Sequence, residues 1–216
     1  MAKGYRGALM TDVAERLELS HAILYRYVES KEALLELAVR YAMDRAAELT
    51  ADMPLATPPQ GHILDLLRAW LAVHATFPTL RAALARGPNG DAAAELAGII
   101  DELYDFLEQN RLLLLLVESL VSDYPGLGEE AVNGRKRSYS GWLARFLESR
   151  SASGGLRPVA DPEIAALFLG ESVAWFAQHR QRDRNAALID DQLARSSVRE
   201  LLLAAFVPDV TAGTGS

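Results

Sequence analysis

The sequence predicts an all-α fold: a short front module of two small helices, followed by a larger helical body. Three observations carry this. Apolar residues recur with 3.6-residue spacing along most of the chain. Proline and glycine fall between those segments rather than inside them. No Val/Ile/Thr-rich alternating run occurs, and no hairpin dipeptide stands between two apolar runs.

Residues 8–17 read as a first short helix and 21–27 as a second, with Glu18-Leu19-Ser20 as the turn. Ser20 is a candidate N-cap, because its hydroxyl can accept one of the orphan N–H groups of the next turn. Ser30 can do the same for a long helix from Lys31 to about Asp52. Pro54, Pro58 and Pro59 end that stretch and mark a boundary. The predicted organisation is a front module over 1–53 and a helical body over 60–208.

In the body, Ile63, Leu66, Leu67, Trp70, Val73, His74 and Phe77 form one stripe of an amphipathic helix. Pro78 marks a kink or break, and Gly87 to Gly90 a turn. A helix follows from Asp91 to about Gln109. Residues 112–121 are apolar almost all round, which predicts a central, buried segment. Pro125-Gly126 is another break. A helix near 128–151 and a flexible connector at 151–155 come next. Asp161-Pro162-Glu163 is a strong helix start: an N-cap, a proline at the first position and an acid on the positive end of the dipole. That helix should run to about Gln181 and a last one from Ile189 to Phe206. Thr211 to Ser216 reads as a disordered tail.

Composition narrows the chemistry. Half of the 216 residues are hydrophobic, enough for a sizeable core, and there is no cysteine. Disulfides, zinc–thiolate sites and cysteine nucleophiles are therefore excluded. The apolar runs, such as Leu112 to Val117, fall far short of the roughly 18 residues of a membrane span. No apolar segment follows the N-terminus as in a signal peptide. A soluble cytoplasmic protein without a membrane partner is expected. The net charge of −7 argues against a surface that grips nucleic acid all over. Residues 1–50 hold seven Lys/Arg against eight Asp/Glu, nearer neutral than the rest but not a basic patch.

Two short helices joined by a three-residue turn suit a second helix lying in a major groove while the first crosses the phosphates. Here the second helix is His21 to Tyr27. Leu24 and Tyr27 would face inward; His21, Ala22, Tyr25 and Arg26 outward. The hydroxyl of Tyr25 and the cations of Arg26 and Lys31 suit phosphates. His21, near the helix start, could reach a base edge. The plain alternative is a solvated helix face.

Gly4-Tyr5, Met10, Val13-Ala14, then Leu19-Ser20, Leu24-Tyr25 and Tyr27, then Ser30-Lys31-Glu32-Ala33-Leu34-Leu35 resemble the TetR family of bacterial regulators. Gly155-Leu156-Arg157 followed by Asp161-Pro162 resembles the family's connector before its last two helices. The resemblance implies a homodimer on a palindromic double-stranded DNA operator, the last two helices of each subunit pairing in a four-helix bundle. A small-molecule effector in the body would release DNA. By motif position, Ser20, His21, Tyr25, Arg26 and Lys31 inherit the DNA contacts. The chain departs from the family pattern twice. Only Met1-Ala2-Lys3 precede the Gly-Tyr pair, where members carry a basic arm and a whole first helix. Glu18 stands where the turn often has glycine. The expectation is a ligand-responsive repressor; the alternative is a helical dimer that binds a small molecule or protein and has lost DNA binding.

For the effector, Trp70, His74 and Phe77 share a stripe, and Tyr104, Trp142 and Trp175 could converge from other helices. Pockets between helices are mostly apolar with a few polar groups, yet the same aromatics serve equally as core. Glu118, inside the Leu-rich run, could face a ligand cation, a partner arginine or the surface. Arg180 to Arg184 read as a solvated helix end. The four histidines show no i, i+4 metal pair, and no nucleophile or phosphate-loop motif occurs. No enzyme, metal or cofactor is expected.

Overall fold

The computed structural model describes residues 4–44, 53–121, 123–124 and 139–209. Its helices are α1 (Gly4–Gly7), α2 (Met10–Arg16), α3 (His21–Leu24), α4 (Lys31–Ala42), α5 (His62–His74), α6 (Pro78–Arg86), α7 (Ala92–Gln109), α8 (Arg111–Leu120), α9 (Tyr139–Ala152), α10 (Pro162–Ala174) and α11 (Asp191–Phe206). Among the described residues the only extended pairing is one isolated bridge, Val28 to Leu55. The chain forms two units, Met1–Ala75 with Leu112–Ala131, and Thr76–Arg111 with Val132–Ser216.

In the first unit, local chemistry sets the helix starts. The Asp12 carboxylate accepts the Leu9 N–H (2.8 Å), so α2 begins at Met10 rather than at residue 8. Ser30 caps α4 as expected, its Oγ accepting the Ala33 N–H (3.1 Å). Ser20 stands at the N-cap of α3, but its hydroxyl accepts no cap bond. Regular α-helix ends at Leu24, and residues 25–27 continue as a tight turn. Helix α4 ends at Ala42, and residues 45–52, where the long helix was expected to continue, lie outside the described residues. Met10, Ala14, Leu24, Val28 and Ala33 form the core of this module, with Val13, Leu34, Leu37 and Leu55 packed against it. Leu55 is held by main chain: its N–H donates to Tyr27 O (2.8 Å), and the Glu29 N–H donates to Leu55 O (3.0 Å).

Helix α8 departs from expectation. Only Leu113 and Leu120 are fully buried in it, and Leu112 and Glu118 are exposed. A run of leucines looks uniformly apolar in sequence, but a helix presents one stripe at a time, and here only part of its surface is covered. Glu118 is thus no buried carboxylate.

In the second unit, α9 packs along α10 and α6, and α7 lies against α6, α10 and α11. Leu80, Leu96, Ile99, Leu143, Phe146, Leu147 and Leu169 are buried completely or nearly so. Pro78 marks a clean break: Phe77 before it is left-handed (φ 44°) and α6 starts at the proline. Asp91 and Asp190 cap α7 and α11 through the N–H groups of Ala94 and Leu193, each 3.0 Å away. Asp161 caps α10, accepting from Glu163 and Ile164 at 2.8 and 3.1 Å.

The connector after α9 is a fixed helix end, not a flexible link. Gly154 is left-handed (φ 77°), and the N–H groups of Gly155 and Leu156 both donate to Arg150 O at 2.9 and 3.1 Å. Leu156 is buried. The Arg157 N–H and Nε close the C-terminal end of α11 on the carbonyls of Phe206 (2.7 Å) and Val207 (2.9 Å). A cation there also offsets the helix dipole.

Beyond Ala174 the chain makes one π-turn over Trp175–His179 and a 3₁₀ turn over Arg180–Arg182. Arg180 overturns the reading of a solvated helix end. It is almost fully buried, donates to Phe176 O (3.3 Å) and Ile189 O, and pairs with Asp191. Residues 125–138 and 210–216 lie outside the described residues, and with them the Pro125-Gly126 break, the first part of the 128–151 helix and the tail.

Candidate nucleic-acid interface

The α2–turn–α3 unit presents one consistent outer face. Leu24 and Val28 point into the module core, while Ser20, His21, Ala22, Tyr25 and Arg26 are all exposed. One i, i+4 turn brings His21 and Tyr25 together, edge to face, with ring centroids 4.9 Å apart. Tyr27 departs from expectation: it is half exposed, because the backbone leaves the α-helix after Leu24 and Val28, not Tyr27, fills the inward position.

The turn itself carries strain. Glu18 adopts φ 55°, the left-handed conformation that a side chain with Cβ reaches at a cost.

Lys31 is half-buried. Its ammonium lies 4.3 Å from the centre of the Tyr5 ring and Nζ donates to Arg6 O (3.2 Å). A cation held on an aromatic face is positioned rather than free to wander. The other surroundings of Tyr5 are Tyr124, with ring centroids 5.7 Å apart, and the Glu32 carboxylate, which accepts its hydroxyl at 3.5 Å. Burial first, then Tyr124 and Glu32, push the Tyr5 phenol well above its ordinary range. Sequence reasoning used Tyr5 as a landmark and gave it no role; a tyrosine 26 positions before a lysine shows no contact until the helices pack. An apolar cleft of about 150 Å³ opens on this module between Tyr5, Leu9, Val13, Leu34 and Leu35.

The residues expected to meet an effector do not form one cluster within either unit. In the first unit Trp70 is buried and stacks on His74 at 4.5 Å, and His74 Nδ1 bonds Trp70 O (2.8 Å). In the second, Phe77 is buried against Phe106 (5.0 Å) and Tyr139 (4.4 Å). Trp142 lies under the Arg81 guanidinium (5.7 Å), and Trp175 packs on Phe176 (4.9 Å). Tyr104 is buried beneath the Arg195 guanidinium (5.2 Å), and its hydroxyl has no hydrogen-bond partner of normal geometry among the described residues, although the Arg180 guanidinium lies near enough to act on it. Burial, then the charge of Glu108, raises its phenol above the ordinary range. A polar cleft of about 500 Å³ lies alongside, between Asp101 and Glu108 of α7 and Asp191, Arg195 and Arg199 of α11. Among the described residues no helix is long and apolar enough to cross a membrane.

Residues 1–38 match the family model for bacterial regulatory proteins, tetR family. A solved structure described as apo AibR is similar over 93% of this chain and 89% of that chain, at 18% identity and a TM-score of 0.44, too distant to inform function. No curated protein matches the chain. The matched segment ends within α4 and contains α2, the strained turn and α3, with their exposed polar face. Over residues 1–38 the front of this chain is therefore similar to the N-terminal module of bacterial regulatory proteins of the tetR family.

Proposed function

We propose that the chain is a ligand-responsive repressor that binds a palindromic operator as a homodimer. The observation that carries the DNA contact is the face of α3. Leu24 anchors it from below, leaving the His21–Tyr25 pair and Arg26 outward. In this reading Tyr25, Arg26 and Lys31 meet phosphates, Ser20 contributes at the helix start, and His21 reaches a base edge.

Dimerisation is supported by exposed apolar side chains on the last two long helices. Ile164, Leu167 and Phe168 of α10 and Leu193 and Leu201 of α11 are all more than half exposed. Such a patch on a soluble protein marks an interaction surface. A small-molecule effector would be met by residues among Trp70, His74, Phe77, Tyr104, Trp142 and Trp175. Of these, Tyr104 has the strongest support, since its buried hydroxyl has no partner of normal geometry among the described residues, and such a group is costly unless something satisfies it. Glu118, exposed on α8, has none from burial.

A helical dimer that binds a small molecule or protein without DNA is favoured by one observation. Among the described residues nothing covers the module's apolar cleft beside Leu9 and Val13, and Leu9 is 60% exposed.

The deciding experiment is fluorescence anisotropy on DNA from the region upstream of the chain's own coding sequence, over a salt series. Selective, salt-sensitive binding is expected. Arg26→Ala and Lys31→Ala should each weaken binding about equally for all sequences and lower the salt slope by about one. A loss confined to one operator variant would remove the phosphate role. Absence of binding at low salt would favour the second reading.

A further inference from the structure

Residues 5 and 6 gather two cations and one acid of the first unit into a single cluster. The Lys31 ammonium sits on the Tyr5 ring and donates to Arg6 O (3.2 Å). The Arg6 guanidinium donates to Asp123 O (3.1 Å) and lies 3.9 Å from the Asp123 carboxylate. The Arg6 main-chain N–H donates to that same carboxylate at 3.1 Å. Tyr124, the next residue, packs against Tyr5. Lys31 is thus tied to the main chain of Arg6 through one hydrogen bond, which sets residue 6 beside the cation assigned to a phosphate.

The two partners differ in access. The Arg6 side chain is 72% exposed, whereas that of Asp123 is only 14% exposed. An outside anion can approach the guanidinium directly, while the acid is tucked behind it. A residue whose carbonyl accepts from the guanidinium, and whose carboxylate accepts the main-chain N–H and stands 3.9 Å from the guanidinium, offers that arginine much of what a phosphate would.

We infer that Arg6 is a further phosphate-binding residue of the front module and that Asp123 is its intramolecular competitor, holding the guanidinium until DNA displaces it. The inference rests on the DNA-binding reading. It assigns work to residue 123, three positions past the end of α8, the segment by which the chain returns from the second unit to the first. Asp123 and Tyr124 are then positioning residues: they set how readily Arg6 and Lys31 meet DNA without touching it.

Removing any acid from a chain of net charge −7 would strengthen binding to DNA somewhat. A double-mutant cycle separates that general effect from a specific competition. The proteins are wild type, Asp123→Asn, Arg6→Gln and the double variant. Each is titrated into a fluorescein-labelled random-sequence duplex over a salt series, with helical content checked by circular dichroism. Asn retains an acceptor for the Arg6 N–H and removes only the charge; Asp123→Ser repeats the test if Asn lowers helical content.

Asp123→Asn is expected to tighten binding roughly two- to fivefold while Arg6 is present, the range of an exposed ion pair. In the Arg6→Gln background it should do little. The salt slope of Asp123→Asn should exceed that of the double variant by about 0.9, one phosphate contact. Equal tightening in both backgrounds, or none, overturns the inference while leaving DNA binding intact. Failure of all four proteins to bind any duplex overturns the DNA-binding reading, and the inference with it.

Discussion

Arg150 Nε donates to Glu95 Oε2 across 2.7 Å, and both side chains are more than nine-tenths out of water. Arg150 also donates to Ala83 O (2.8 Å) and Ser149 Oγ (3.3 Å), and Arg86 meets the second Glu95 oxygen at 2.5 Å. The chain approaches this pair so closely at Gly90 that a Cβ there would stand 2.2 Å from Glu95 Oε1. Removing one member of a buried pair strands the other charge. Glu95→Ala should therefore cost about 3–5 kcal/mol in urea unfolding. The double variant Glu95→Ala/Arg150→Met should regain a large part of that. A loss under 1 kcal/mol for Glu95→Ala would show that water reaches Arg150.

Glu18 holds φ 55° in the turn between α2 and α3. Glycine adopts that conformation without the steric penalty. Glu18→Gly should raise stability by about 1 kcal/mol, several degrees in thermal melting for a domain of this kind. It also removes an acid beside the face assigned to phosphates, so DNA binding should tighten. An unchanged or lower melting temperature would mean that local bonds already offset the strain at Glu18.

Phe168 and Leu167 stand side by side on α10, each more than half exposed. If this patch is the seam between subunits, a buried charge there is intolerable. Phe168→Glu should give a monomer by light scattering at micromolar concentration, with helical content kept. A persistent dimer would move the seam away from α10.

Tyr139 donates to Ile99 O (3.5 Å) and packs on Phe77. Burial, then Glu102, raise its phenol far above the ordinary value near 10. A pKa raised by folding contributes stability that is complete below the unfolded value and is lost as pH climbs toward the folded one. Stability should fall above about pH 10, with tyrosinate absorbance appearing together with unfolding. Tyr139→Phe should flatten that alkaline limb. Tyrosinate appearing in the folded protein near pH 10 at this position would contradict the burial assigned to it.

Much of this architecture was legible because it is written in local chemistry. Asp161-Pro162-Glu163 and Ser30 start helices through bonds to N–H groups two or three residues on, and such bonds need no tertiary knowledge. The outer face of α3 was legible for the same reason: helical spacing separates His21, Tyr25 and Arg26 from Leu24. What escaped depends on residues far apart in sequence. Arg180 reads as a surface cation until the carbonyls near Ile189 fold around it, and nothing local to Arg150 points to Glu95, 55 positions away. Leu112 of α8 reads as buried, and Glu118 as open between a partner and the surface, because composition does not say how much of a helix will be covered. Tyr27 read as inward because periodicity assumes a helix that in fact ends at Leu24.

The clasp between residue 55 and the end of α3 carries a rule about tolerance to sequence drift. It is built from main-chain groups on both sides, Leu55 with Tyr27 O and the Glu29 N–H. Side chains at 55 can therefore change with small penalty to the clasp, as long as an apolar group still meets the module core. Proline cannot stand there, because it lacks the N–H that Tyr27 O receives. Relatives that keep this architecture should thus vary in side chain at residue 55 yet exclude proline from it, and the angle at which the recognition segment leaves the module should be inherited more faithfully than the residues that set it.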